Sequence, residues 1–239
     1  MLFFDPLYLL FAAPGMLLAF WAQYKVKSTF HRYSQVTTRR GWTGAEIADA
    51  ILRVNQIRDV RIEPTQGFLS DHYDPVAKVL RLSPDVYAGR SVAAAGVAAH
   101  EVGHAIQHAQ GYRWLMMRSR MVPVLQVTSN MAMPALMIGF LLMAMGQAGL
   151  GQLAVLAGIA MFAVLVLFQL VTLPVEFDAS RRALLAIEQG GLVTTTEHDG
   201  ARRVLSAAAL TYVAAAVTSA LQLLYFLYRA GLLGGRSDD

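Results

Sequence analysis

Residues 98–111, AAHEVGHAIQHAQG, place three histidines and one glutamate in an otherwise small and apolar stretch. His100 and His104 are four residues apart, so on a helix their side chains project from one face, about one turn apart. Two imidazoles at that spacing can bind one zinc ion at about 2.0–2.1 Å. Glu101 follows the first histidine and can act as a general base toward the attacking water rather than as a ligand. The pattern predicts a hydrolytic zinc site rather than a helix with hydrogen-bonded core histidines.

A third ligand must come from elsewhere in the chain, because a catalytic zinc usually has three protein ligands and one open position. There is no cysteine, which excludes thiolate ligands and disulfides. His108 is two helical turns from His100, too far for all three histidines to converge. Gln107 and Gln110 stand where the metzincin pattern has glycine and histidine, which disfavours that class. The later candidates for the third ligand are His198, Glu188, Glu197, Asp178 and Glu176.

Glu176 is the strongest of these candidates. It is the first charged residue after an uncharged stretch that covers residues 121–175. It therefore lies where a membrane-spanning helix leaves the bilayer, and that helix can pack beside the motif helix. The alternative is that Glu176 only marks the membrane boundary.

The composition is that of a membrane protein. The chain is 56% hydrophobic and 15% charged, whereas soluble proteins are typically about 25% charged. A helix crosses a bilayer with about 20 apolar residues, so 121–175 fits two passes with a turn at GQAGLGQ, 146–152. Uncharged runs at 7–24 and 204–228 complete a prediction of four transmembrane helices. None of these spans contains an ionisable residue, which disfavours a transporter or channel.

The first span is predicted to be a retained anchor rather than a signal peptide. A signal peptide begins with a basic region and ends at a small-residue cleavage site. Here the first charge is Asp5, and the apolar run ends in FWAQYKVK. Trp21 and Tyr24 are typical of an interfacial belt, with Lys25 and Lys27 as its basic anchor.

Basic residues set the predicted orientation. Of the 20 Lys and Arg residues, 14 lie between Lys25 and Arg120, and four more lie between Arg181 and Arg203. With four spans, both segments fall on one side, and the positive-inside rule makes that side cytoplasmic. The pI near 9.5 is thereby explained by topology and anionic lipid, without a nucleic-acid partner.

The chain divides into five predicted segments. They are a first transmembrane anchor (1–24), a cytoplasmic protease domain with the motif helix (25–120), a transmembrane hairpin (121–175), cytoplasmic helices with the third zinc ligand (176–203), and a fourth transmembrane helix with a C-terminal tail (204–239).

Local signals place elements within the cytoplasmic segments. Thr43-Gly-Ala-Glu46 is a capping box that opens a helix. DVRIEP (59–64) and VAKVLRLS (76–83) are typical of short antiparallel strands, with DHYDP as a turn. Ser91 caps the motif helix, which ends at Gly111. EFDASRRALLAIEQGG predicts another helix from Glu176, and TTTEHDG a further capping pattern before the fourth span.

Four stretches together resemble the YugP-type membrane zinc metallopeptidases of bacteria: HEVGHAIQH, LPVEFDASRRAL, ARRVLSAAALTYVAAA and SDHYDPVAKVLRLSPDVY. A more distant similarity extends to the HtpX and CAAX prenyl protease group. The resemblance implies a mainly α membrane protein with a cytoplasmic gluzincin-like domain, in which the motif helix accompanies a small antiparallel sheet. It implies one Zn2+ per chain, held by His100, His104 and Glu176, with Glu101 as base. HtpX-type enzymes carry aspartate where this chain has Ser180.

The activity implied is peptide-bond hydrolysis by water activated at the zinc, in a multi-pass protein of the bacterial cytoplasmic membrane whose site faces the cytoplasm. Substrates would be membrane proteins or unfolded segments, in processing or quality control. The VAKVLRLS strand is expected to be the edge that pairs with substrate backbone. Residues considered for orienting a ligand or stabilising the oxyanion are Asp178, His198, Arg202, Arg203 and Tyr212. The alternative is a non-catalytic interaction or chaperone protein with a structural zinc.

Overall fold

The computed structural model describes residues 5–233, so the ends of the predicted segments 1–24 and 204–239 lie outside the described residues. The described chain is mainly helical, with one small sheet. Its elements are α1 (Pro6–Ser34), α2 (Gly44–Val54), β1 (Arg61–Pro64), β2 (His72–Asp74), β3 (Val79–Leu82), α3 (Pro84–Tyr87), α4 (Val92–Ala109), α5 (Arg113–Ala144), α6 (Ala148–Gln189) and α7 (Thr195–Arg229).

Four helices of the described chain are long and apolar enough to cross a membrane, which confirms the number expected from sequence. They are α1, α5, α6 and α7, with 29, 32, 42 and 35 residues. The turn predicted at 146–152 is found but is shorter: Met145–Gln147 separate α5 from α6, Gly146 has a positive φ of 82°, and residues 148–152 belong to α6.

Two of these helices continue well past the apolar runs. Helix α1 extends beyond Tyr24 to Ser34, and α6 passes through Glu176 to Gln189. The prediction of a separate helix beginning at Glu176 is therefore wrong, because these residues form the last part of α6. A change from apolar to charged residues ends a membrane span, but Glu, Arg, Ala and Leu all favour continued helix.

The chain divides into two compact units. The first comprises the described residues of Met1–Trp21, Met117–Thr172 and Tyr212–Asp239. Its core contains Leu136, Phe162, Tyr225 and Phe226, and the Tyr225 hydroxyl donates to Asp5 at 3.0 Å.

The second unit comprises Ala22–Met116 and Leu173–Thr211, and it holds α2, the sheet, α3 and α4. The predicted capping box opens α2: Thr43 Oγ1 accepts from the Glu46 amide at 3.2 Å, and Glu46 accepts from the Thr43 amide at 2.7 Å. The apolar face of α2, with Ile47 and Ile51, is buried in the core of this unit.

The sheet has three strands in the order β1-β3-β2, and it corrects three expectations. It is mixed rather than antiparallel, because β1 pairs with β3 in parallel, with Arg61 opposite Val79. The stretch predicted as a turn contains β2, which pairs antiparallel to β3 with Tyr73 opposite Leu80. The VAKVLRLS strand is β3, and it is the central strand rather than the expected edge. Its backbone is paired on both sides, so the free edges belong to β1 and β2.

Candidate metal centre

Helix α4 carries the motif through the core of the second unit. Ser91 caps it, with Oγ accepting from the Ala94 amide at 3.1 Å, as predicted. Small residues fill its first turns and let neighbouring helices approach closely. The closest approach is at Gly103, where an added Cβ would lie 2.4 Å from the Ala179 carbonyl oxygen of α6. This contact brings the polar segment of α6 that begins at Glu176 against the motif.

His100, His104 and Glu176 form one cluster, in which the three possible ligand atoms all lie within 4.8 Å of one another. Glu176 Oε2 is 3.2 Å from His100 Nε2 and 3.6 Å from His104 Nε2. Tetrahedral zinc ligands at about 2.0–2.2 Å from the metal lie about 3.4 Å apart. The two measured distances bracket that value, and two imidazoles with one carboxylate are a donor set that zinc takes in hydrolytic sites. The residues present therefore fit a zinc ion.

The cluster is largely shielded from solvent. The side chains of His100, His104 and Glu176 are 13%, 10% and 3% exposed. A buried carboxylate between two imidazoles is stable only when it is paired or binds a metal. Burial of this set therefore favours a ligand cluster over three unrelated polar side chains.

Gln107 fixes which nitrogen of His104 faces the cluster. It is fully buried, and its Nε2 donates to the Val175 carbonyl at 2.8 Å and to Asp178 Oδ2 at 2.9 Å. With its amide nitrogen engaged by two acceptors, its Oε1 must be the atom 3.1 Å from His104 Nδ1. That oxygen accepts a hydrogen bond from Nδ1–H, which leaves the Nε2 lone pair of His104 directed at Glu176 and free to bind a metal.

Ser180 and Asp178 take different places around the ligands. Ser180 Oγ is 3.1 Å from His100 Nδ1. Asp178, considered as a residue that orients a ligand histidine, contacts no ligand histidine directly and reaches His104 only through Gln107. Its carboxylate is also paired with the guanidinium groups of Arg181 and Arg182.

Glu101 lies beside the cluster and is buried, at 8% exposure. Its pKa is raised to about 7, mainly by burial, with the negative charges of Glu176 and Asp71 acting in the same direction and the charge of His100 opposing them. A hydrogen bond from the Tyr73 backbone also opposes the rise. A carboxyl group with a pKa near the working pH is suited to taking and returning a proton.

The remaining candidates for the third ligand lie outside the cluster of His100, His104 and Glu176. His198 Nε2 is 3.9 Å from Glu188 Oε2, is buried, and has no hydrogen-bond partner among the described residues. Glu197 completes the predicted capping pattern of α7, accepting from the Thr194 amide at 2.7 Å, and it also accepts from the Arg39 amide. Among the described residues, the metal cluster does not include His198, Glu197 or Glu188.

The residues considered for the oxyanion lie on α7. Arg202 and Arg203 are exposed on α7. Tyr212 is half-buried and belongs to the first unit. Their roles rest on the sequence pattern alone.

Gln107 and Ser180 were not assigned roles from the sequence. Both carry a weak signal: Gln107 is a polar residue in a buried helix three residues after His104, and Ser180 is one turn after Glu176. Neither spacing says which way the side chain points until α4 and α6 are packed.

Comparison with known proteins agrees with this geometry. Residues 8–231 match the family model described as "Putative neutral zinc metallopeptidase". The chain is 48% identical over 234 residues to the "Putative membrane protease YugP" of Bacillus subtilis (strain 168), covering 98% of this chain and 99% of that protein. No solved structure matches the chain.

Proposed function

The chain belongs to the neutral zinc metallopeptidase family, and from that membership and its metal cluster we propose that it is an integral-membrane zinc endopeptidase. The observation that carries the proposal is the convergence of His100, His104 and Glu176 within 4.8 Å, with Glu101 adjacent. The first three would hold one zinc ion and the fourth would be the general base.

Each residue has a distinct task in hydrolysis. Zinc, when bound, lowers the pKa of a water and polarises the scissile carbonyl. Glu101 accepts a proton from the attacking water and delivers it to the leaving amine. Gln107 and Ser180 hold the imidazoles of His104 and His100 in the orientation that ligation needs. Burial keeps bulk water from competing with these contacts.

The free edge that serves the site is β2 rather than β3. Strand β2 contacts α4, and the Tyr73 backbone lies at the Glu101 carboxylate. An extended peptide added beside β2 would pair through its backbone, which gives affinity with little side-chain selectivity. This supports a protease of broad specificity that acts on unfolded segments.

The membrane topology suggests where the substrates are. The excess of Lys and Arg between Lys25 and Arg120 supports a multi-pass chain of a bacterial cytoplasmic membrane with its metal centre on the cytoplasmic side. Glu176 follows the uncharged stretch directly, so the centre lies close to the membrane surface. Its substrates are then membrane proteins or their exposed, unfolded segments, and its task is their processing or quality control.

The alternative is a membrane interaction protein that keeps a structural zinc. A structural site has no need of a buried carboxylate beside its ligands, and Glu101 is such a group. The test is a Glu101→Gln variant, purified in detergent and incubated with casein. The proposal predicts zinc bound as in wild type and casein left intact, while wild type cleaves casein until a chelator is added. Equal cleavage by the variant would contradict it.

A further inference from the structure

Tyr73 joins strand β2 to helix α4 at two separate places. Its backbone lies at the Glu101 carboxylate. Its hydroxyl is 2.8 Å from His108 Nδ1, with the two ring centroids 5.8 Å apart. Glu101 and His108 are seven residues apart, or about 10 Å along the helix at 1.5 Å per residue. One residue of the strand therefore spans two turns of the helix that carries the motif.

The Tyr73 hydroxyl keeps its proton in this contact. Burial, together with the negative charges of Asp59 and Asp74, raises the pKa of Tyr73 to about 12. The protonated hydroxyl and the His108 Nδ1 atom therefore form one short hydrogen bond at 2.8 Å. Hydrogen bonds are directional, so this contact fixes the position of the Tyr73 side chain against α4.

Other contacts hold β2 from its opposite side. Asp71 accepts from the Ser83 amide at 2.7 Å and from its hydroxyl at 3.0 Å, where the strand begins. Asp74 pairs with Arg81 of β3 at 3.2 Å, where the strand ends. Strand β2 is thus anchored to β3 along its inner edge, and the Tyr73 hydroxyl anchors it to α4.

We propose that the Tyr73–His108 hydrogen bond is a positioning tether, which fixes β2 in one register against the motif helix so that a docked peptide presents a single carbonyl to the metal centre. This inference rests on the proposed function, with β2 as the docking edge. Backbone pairing alone fixes a peptide only to a repeat of two residues, since neighbouring carbonyls alternate in direction. A displaced edge would therefore bind the peptide more weakly and cut it at several neighbouring bonds.

The tether is tested with Tyr73→Phe and His108→Leu, which remove the hydrogen bond from either side while keeping side-chain bulk. His108→Asn is the conservative variant, because its amide can place a polar atom near the position of Nδ1. Tyr87→Phe is the matched control, since Tyr87 packs against the same core. Each full-length protein is assayed with casein and with a peptide taken from a mapped casein cleavage site, and products are identified by mass spectrometry.

Both tether variants should keep their zinc, raise KM about fivefold with kcat within twofold, and spread cleavage to neighbouring bonds. The double variant should be no worse than either single variant, and His108→Asn should restore the narrow product pattern. Unchanged KM and products in both single variants, or the same changes in Tyr87→Phe, would overturn the tether while leaving the protease intact. Wild-type protein that binds zinc but does not cleave casein would instead overturn the proposed function and the tether with it.

Discussion

Gly103 of α4 lies directly against the Ala179 carbonyl of α6, so closely that a Cβ on Gly103 would be 2.4 Å from that oxygen. The two residues belong to the segments that carry the possible metal ligands, one residue before His104 and three after Glu176. Their contact explains why the fourth position of the motif's HEVGH is glycine in this chain. It also makes the spacing of the ligand cluster depend on a backbone contact.

Gly103→Ala should therefore separate α4 from α6 and displace Glu176 from the two histidines. Overpacking of this kind costs about 1–3 kcal/mol of stability, and here we expect most of the bound zinc to be lost as well. Zinc content and thermal unfolding in detergent measure the two effects.

Gly96→Ala is the matched control, on the same helix. Its Cβ would be 3.2 Å from the Ala201 Cβ, which a small adjustment accommodates. It should keep its zinc. Equal zinc content in both variants would show that the Gly103 contact does not position the ligands.

Gln107→Leu should weaken zinc binding by about 10–100-fold, the usual effect of removing the group that orients a ligand histidine. The substitution also removes the hydrogen bonds that Gln107 donates to the Val175 carbonyl and to Asp178. Gln110→Leu is the control, because Gln110 lies at the end of α4 and contacts Arg182 rather than a histidine. Competition with a chromophoric chelator gives both affinities. A Gln107→Leu affinity equal to that of Gln110→Leu would exclude the orienting role.

The pH dependence of cleavage should have an acid limb set by Glu101. Burial raises the pKa of this carboxyl to about 7, and the base works only when deprotonated, so kcat/KM should fall as pH drops. A divalent cation bound nearby favours the charged carboxylate and so lowers its pKa. The fall in kcat/KM should therefore have its midpoint at or below pH 7. Initial rates between pH 5 and 8 test this, with zinc content checked at each pH. A rate that rises as pH falls from 7 would contradict the assignment.

Thr43→Ala should destabilise the second unit by about 1 kcal/mol, because it removes the side-chain acceptor of the α2 cap.

Hydrogen bonds from the Thr43 backbone and side chain lower the pKa of Glu46. The stabilisation of the folded state by the Glu46 carboxylate is therefore present above its ordinary pKa of 4.5 and is lost as pH falls through the lowered pKa. The difference in unfolding temperature between wild type and Glu46→Gln should therefore shrink from pH 6.5 to pH 4. A constant difference would show that the carboxylate does not contribute to the cap.

The sequence predicted those features that depend on local spacing. The His100 and His104 pair, the Thr43 and Ser91 caps and the four apolar helices each follow from a pattern within one helix. Glu176 could be ranked first because topology places it at a membrane boundary, next to the segment that carries the motif.

Features that depend on packing between distant segments were missed. Strand β2 has three residues, two of them charged or polar, and only its pairing with β3 makes it a strand. The parallel pairing of β1 with β3 joins segments 18 residues apart, Arg61 with Val79, which no local signal encodes. Gln107 and Ser180 acquire their contacts only when α4 meets α6 at Gly103.

The central claim, that His100, His104 and Glu176 hold one catalytic zinc, is tested most directly by the zinc content of purified wild type, Glu176→Gln and His198→Gln, each also incubated with casein. We predict one zinc per chain and chelator-sensitive cleavage in wild type and His198→Gln, and loss of both in Glu176→Gln. Zinc retained by Glu176→Gln, or lost from His198→Gln, would contradict the assignment of the third ligand.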